Sequence, residues 1–258
     1  VIDMHSHVLP GIDDGPETIE GSIALARAAA AAGTSTLLAT PHVSFHYPND
    51  AASIAGLVEQ VNERLRAEGI ALEVLAGAEI AMSSVIDIKP EELARLSLGG
   101  GQWLLVEPPF SPVANGLDGV LMDLVARGHR ILLAHPERCP AFHRNPQMLT
   151  ALVRGGILTS ITAGSLVGRF GATVQRFTMG LVRDELVHNV ASDAHNETQR
   201  PPGILAELER AGLEPLSEWL TEGVPGAILA GGEVPRRPLV ELPALEPSRL
   251  PRWLRRRG

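Results

Sequence analysis

The chain has 258 residues, of which 45% are hydrophobic, enough apolar material for one large buried core and far from the composition of a disordered chain. Its formal net charge of −8 argues against nucleic acid as the main partner, and no apolar run is long enough to span a bilayer. A single cysteine, Cys139, excludes an intrachain disulfide framework.

The first strand is expected at Val1–Met4. No basic stretch or signal-type apolar region precedes it, so a cytoplasmic protein is expected. A helix over Glu17–Ala32 follows, with Pro16 before its first turn and Gly33 at its end. Further apolar runs at Ser35–Ala39, Leu72–Ala76, Trp103–Val106, Arg130–Ala134, Ile157–Ile161 and Val187–Ala191 read as strands. Between them, Ile54–Glu68 carries Ile54, Leu57, Val58, Val61 and Leu65 at helical spacing, and Leu117–Ala126 and Met148–Val153 read likewise. Strand alternating with helix predicts parallel strands joined by helical crossovers, and about seven such units suggest an α/β barrel more than an open sheet. Residues 1–235 are expected to form one domain, and 236–258, rich in Pro, Arg and Leu, an extended or wrapping C-terminal tail.

In a parallel α/β barrel the chemistry sits on the loops where strands end. The residues there are His5-Ser6-His7 and Asp13-Asp14-Gly15, Thr40-Pro41-His42, Glu79, Glu107, His135-Pro136-Glu137-Arg138, and Ser192-Asp193-Ala194-His195. His-x-His on an extended segment puts both rings on one face, able to grip one cation, and Asp193-x-His195 repeats the arrangement with mixed ligands. A hydrated polar rim is the plain alternative. Yet five of the nine histidines fall at these strand ends with carboxylates beside them, which chance placement does not readily produce. Imidazole and carboxylate without thiolate suit manganese, iron or zinc at a catalytic site better than a structural zinc.

The remaining histidines are His46, His129, His143 and His188. His129 and His188 precede strands and read as surface residues, while His46 reads as a loop residue near the site. Cys139 does not fit a thiol phosphatase. Only four residues separate it from Arg144 where five are needed, and Pro140 interrupts the backbone that would cradle phosphate. It reads as a small filler beside the site.

Taken in order, the strand-end set resembles the polymerase-and-histidinol-phosphatase (PHP) superfamily. Within it, Ile2–Pro16, Thr162–Gly171 and Ser192–Asn196 resemble the bacterial manganese-dependent tyrosine-protein phosphatases encoded with capsule and exopolysaccharide genes. The resemblance covers roughly residues 1 to 203 and leaves out the tail. It implies a distorted seven-stranded (β/α) barrel of the PHP type and a centre of three divalent ions, with manganese ahead of iron or zinc. Such ions would also reconcile the negative net charge with a phosphate substrate.

Carried over position by position, His5, His7, Glu79 and Asp193 would hold one ion. Glu79 would bridge to a second, shared with Glu107 and His135, and Asp14, His42 and His195 would hold the third. Arg138 and Arg200 match arginines placed against the substrate phosphate, and Asp14 or a water is a candidate acid for the leaving group. The implied activity is hydrolysis of phosphotyrosine, on a bacterial tyrosine kinase that controls capsule or exopolysaccharide synthesis. Loop Val43–Asn49 is not a clear match, and Gly164 stands where a small polar residue is common. The alternative is another PHP phosphoesterase, such as a histidinol-phosphate or other small-molecule phosphatase. An amidohydrolase fits less well, because Lys89 lies before Pro90 and away from a strand end. A non-catalytic metal-bound scaffold is disfavoured by the complete ligand set.

Overall fold

Short apolar runs buried on both faces are what parallel strands covered by helices require, and they set the frame of this chain. The computed structural model describes residues 1–112 and 116–242. Its strands are β1 (Ile2–Ser6), β2 (Thr36–Ala39), β3 (His42–Val43), β4 (Glu73–Ala76), β5 (Glu79–Ala81), β6 (Trp103–Glu107), β7 (Arg130–Ala134), β8 (Leu158–Thr162) and β9 (Asn189–Ala191). All pairings are parallel, with β1-β2-β4 in one sheet and β3-β5-β6-β7-β8-β9 in another. The fold is therefore α/β. Leu104, Leu105 and Val106 of β6 and Ile131, Leu132 and Leu133 of β7 are fully buried, as strands covered on both faces should be.

Helices connect the strands. Helix Ala51–Ala67 buries Ile54, Val58, Val61 and Leu65 along one face, and Asp50 caps it by accepting from Ser53 N at 2.8 Å. The first helix starts later than its sequence suggests, at Ile19. Thr18 is its N-cap, accepting from Gly21 N at 3.3 Å, so Pro16 lies outside the first turn. Leu117–Ala126 is helical as expected, and the helix expected at Met148–Val153 runs from Pro146 to Arg154.

Two strands that the sequence suggests as single runs are interrupted near the site. The chain leaves β2 at Ala39 and resumes as β3 after Pro41, which has no N–H for a ladder. It leaves β4 at Ala76 and resumes as β5 after Gly77-Ala78. A Cβ on Gly77 would lie 3.0 Å from Leu98 Cδ2 and 3.3 Å from Thr40 Cγ2, so this close approach favours glycine. The breaks put His42 and Glu79 at the starts of β3 and β5, paired with each other in register.

The sheets meet at the same end. Ser6 bridges Ala194 in parallel, His7 N donates to Ala194 O at 2.8 Å, and Asp193 N donates to His5 O at 2.9 Å. On the far side of β1, Thr40 N donates to Ser6 O at 2.8 Å. Beyond the last helix, the chain from Pro235 to Leu242 has no regular structure. Trp219 Nε1 donates to Pro235 O at 2.8 Å, and Val240 and Leu242 pack against the core. The rest of the expected tail, 243–258, lies outside the described residues. No helix among the described residues is long and apolar enough to cross a membrane.

Candidate metal centre

The carboxyl ends of β1, β6 and β7, the starts of β3 and β5, and the segment after β9 bring all nine expected ligands to one place. Glu79, only 1% exposed, is the hub. Its Oε2 lies 3.3 Å from His5 Nε2, 3.4 Å from His7 Nε2 and 3.0 Å from His42 Nδ1, and its Oε1 lies 2.7 Å from His135 Nε2. Asp193 Oδ1 lies 3.5 Å from His5 Nε2 and 3.6 Å from His7 Nε2. Asp14 Oδ1 lies 3.2 Å from His195 Nε2 and 3.5 Å from His42 Nε2. Glu107 Oε1 is 3.8 Å from His135 Nε2.

Four overlapping donor sets result: His7, Asp14, His42 and His195; His5, His7 and Asp193; His5, Glu79 and His135; and His42, Glu79 and Glu107. Within each set the ligand atoms lie within 4.8 Å of one another. The first set contains the trio implied for the third ion, with His7 added. Glu107 groups with His42 instead of His135. The sharing of Glu79 between sets is what a bridging carboxylate requires.

The donor chemistry fits divalent cations. Carboxylates and imidazoles are packed here against their own charge, and Asp193 Oδ1 is buried without a hydrogen-bond partner, turned toward His5 and His7. Burial and the charge of Glu79 push Glu107 up to about 7. Glu79 itself is held well below the carboxylate range: burial works against it, but the charges of His5 and His135 prevail. Burial also opposes the charge on His7, yet Asp13 and Glu79 lift it to about 10. A cation bound here would replace such protons as the counter-charge.

The backbone at the site is unusual for residues other than glycine. His135 has φ 28° and Asp193 has φ 52°. Four supporting residues were given no role from the sequence. Asp13 Oδ2 lies 2.6 Å from His7 Nδ1 and accepts from His42 N at 3.0 Å. Gly15 is packed so close that a Cβ would stand 2.2 Å from His7 O. Asp3 is fully buried beneath the centre and accepts from Ser192 N at 3.0 Å, tying β1 to the segment after β9. Glu137 is buried too, accepting from Thr162 N at 2.9 Å and Ser165 Oγ at 2.7 Å.

The two arginines reach the same rim. Arg138 Nη1 donates to Asp193 Oδ2 at 2.7 Å, and Arg200 Nη2 donates to that same oxygen. Arg200 Nη1 stands 2.7 Å from His195 Nε2. Cys139 is buried, with its thiol pushed up by that burial, and Sγ contacts Pro109 O at 3.5 Å. His46 is exposed. His188, expected at the surface, is instead partly buried, with Nδ1 accepting from Thr159 N at 3.3 Å.

The family model for capsular polysaccharide synthesis, CpsB/CapC, matches residues 1–211. Tyrosine-protein phosphatase YwqE of Bacillus subtilis is 39% identical over 201 residues, covering 78% of this chain and 79% of that protein. Putative tyrosine-protein phosphatase CapC of Staphylococcus aureus is 31% identical over 204 residues, with coverage of 78% and 79%. Among solved structures, one from the work on YwqE and on CpsB of Streptococcus pneumoniae, described as unique metal-dependent tyrosine phosphatases, superposes with a TM-score of 0.82. It is 36% identical and covers 93% of this chain and 100% of its own.

Proposed function

The chain belongs to the CpsB/CapC family of capsular polysaccharide synthesis, and on that premise we propose that it is a metal-dependent protein-tyrosine phosphatase. One observation carries the reading: four overlapping donor sets, two of them sharing Glu79, have two arginines hydrogen-bonded to their members Asp193 and His195. The relatives at 39% and 31% identity are named as tyrosine-protein phosphatases, one of them putative, which points the same way.

We assign His5, His7, Asp14, His42, Glu79, Glu107, His135, Asp193 and His195 to three divalent ions, manganese by preference, with Glu79 shared between two. When bound, such ions supply positive charge opposite the phosphoryl oxygens and bring the pKa of water close to neutrality. Arg138 and Arg200 bind the phosphoryl group, since a guanidinium offers two parallel N–H donors to it. Asp14, with 45% of its side chain exposed, belongs to the donor set of His7, His42 and His195. Burial raises its pKa, but His195 and His7 prevail and hold it below the carboxylate range, so Asp14 is ionised and poorly suited to donate a proton to the leaving group. A phenolate leaves more readily than an alkoxide, which lessens the need for a strong acid.

Counting β2 with β3 and β4 with β5 as interrupted single strands, and the Ser6–Ala194 bridge as the closing contact, supports a distorted seven-stranded barrel. Its domain would run to residue 235, with the tail beyond. A bacterial tyrosine kinase of the capsule or exopolysaccharide machinery is the proposed protein substrate, and the cytoplasm the proposed compartment. The test is a panel of phosphotyrosine peptide, histidinol phosphate and short DNA, assayed with manganese and with chelator. Manganese-dependent turnover of the peptide alone is expected. Preference for histidinol phosphate would overturn the reading in favour of a small-molecule phosphatase.

A further inference from the structure

The chain is poor in aromatic residues, with five Phe, three Trp and one Tyr. Three of these nine stand at the edge of the centre. Tyr47 stacks on His42 with ring centroids 5.5 Å apart, and Phe110 stacks on His135 at 5.6 Å and 23°. The Arg138 guanidinium carbon lies 5.2 Å from the Phe110 centroid and 4.5 Å from that of Phe170. Tyr47 and Phe170 are partly buried, but Phe110 remains 53% exposed.

Phe110 follows Pro108-Pro109, whose rings restrict the backbone, and the Cys139 thiol contacts Pro109 O at 3.5 Å. One part of its surface meets a ligand imidazole and another meets the arginine assigned to phosphate, while the rest faces solvent. A phosphate held against Arg138 would lie beside that exposed surface, since the guanidinium carbon is 5.2 Å from the Phe110 centroid.

We infer that Phe110 is a specificity-determining residue, whose exposed surface packs against the aromatic ring of an aryl phosphate as its phosphate meets Arg138. The inference rests on the phosphatase reading above and names the residue that selects an aryl ester over an alkyl one. Two aromatic rings gain from offset stacking or edge-to-face contact beyond the area they bury. An alkyl ester such as phosphoserine offers no such ring. A competing role, in which Phe110 only steadies the Arg138 guanidinium, would affect both kinds of ligand equally.

Binding distinguishes the two roles without depending on turnover. Benzylphosphonate and methylphosphonate present the same anionic head with and without a ring. Their dissociation constants are to be measured by calorimetry on the manganese-loaded wild type, Phe110→Ala and Phe110→Trp. The wild type should bind benzylphosphonate more tightly than methylphosphonate. Phe110→Ala should weaken benzylphosphonate by about three- to ten-fold and leave methylphosphonate unchanged, and Phe110→Trp should restore the preference. Equal weakening of both ligands, no weakening of either, or no binding by the wild type overturns the inference. Phosphotyrosine-peptide turnover by the same wild-type preparation tests the phosphatase reading separately, so the two can fail independently.

Discussion

The Asp13 carboxylate lies 2.6 Å from Nδ1 of His7 and leaves that ring's Nε2 turned toward Glu79 and Asp193. A carboxylate on the far nitrogen fixes the tautomer and orientation of a ligating imidazole and raises its basicity. The same Asp13 oxygen accepts from His42 N, so one side chain steadies two ligand positions. Asp13→Ala should therefore lower manganese affinity by about 10- to 100-fold, although Asp13 is not assigned to an ion. Titration of the chelator-stripped variant with manganese checks this, and wild-type affinity would refute it.

Glu79 touches four imidazoles, His42 only Glu79 and Asp14 among the acidic ligands. Removing a bridging carboxylate empties two sites and raises repulsion between the ions that remain. Elemental analysis should find Glu79→Gln depleted of more metal than His42→Ala. Equal depletion would sink the bridging role.

Cys139 is buried, and that burial pushes its thiol up, which leaves little thiolate at neutral pH. Cys139→Ser should retain metal-dependent activity, because the serine hydroxyl can donate to Pro109 O where Sγ now lies. Burying that hydroxyl is expected to cost about 1 kcal/mol of stability. A folded variant with no activity would argue for thiol chemistry.

The strand-end candidates were legible because most of the apolar runs are followed within a few residues by His, Asp or Glu, and a parallel fold gathers such ends on one side. Period and spacing could not show β3 and β5, which are two and three residues long and follow Pro41 and Gly77-Ala78. Nor could they separate Asp13 from Asp14, adjacent carboxylates that the loop around Gly15 turns to different tasks. Asp3 lies inside an apolar strand with no local sign that it would bind Ser192 N, far along the chain. Phe110 carries no motif of its own, and its place against His135 and Arg138 comes only from the fold.

Glu107 gives the centre a pH dependence of known sign. Burial, joined by the charge of Glu79, raises its pKa from 4.5 to about 7. In the metal-free protein the folded state therefore keeps a proton that the unfolded chain releases. This contribution to stability is fully present below about 4.5 and is lost as pH rises through about 7. Gln mimics the protonated form, so metal-free Glu107→Gln should match wild type near pH 5. It should exceed wild type at pH 8 by at most about 3 kcal/mol. Urea unfolding in chelator measures both. A wild type more stable than the variant at pH 8 would contradict the assigned direction.

Arg138 and Arg200 share one oxygen of Asp193, and Arg200 also meets His195 Nε2. Those contacts allow two roles, support of the ligands or capture of phosphate. Geometry favours capture for Arg138, whose guanidinium packs on Phe110 and Phe170 and donates to Asp193 Oδ2, the oxygen that faces neither His5 nor His7. For Arg200, His195 Nε2 cannot serve both the guanidinium and an ion, so an ion bound there would break that contact and leave Arg200 held by Asp193, with Nη1 open to substrate. Lysine keeps the charge but loses the planar pair of donors. Arg138→Lys and Arg200→Lys should each lower kcat/KM on a phosphotyrosine peptide by about ten-fold or more, with metal content and thermal stability near wild type. A double variant with unchanged kcat/KM would remove both residues from substrate binding. Activity that falls only in step with metal content would make them supports of Asp193 and His195 instead.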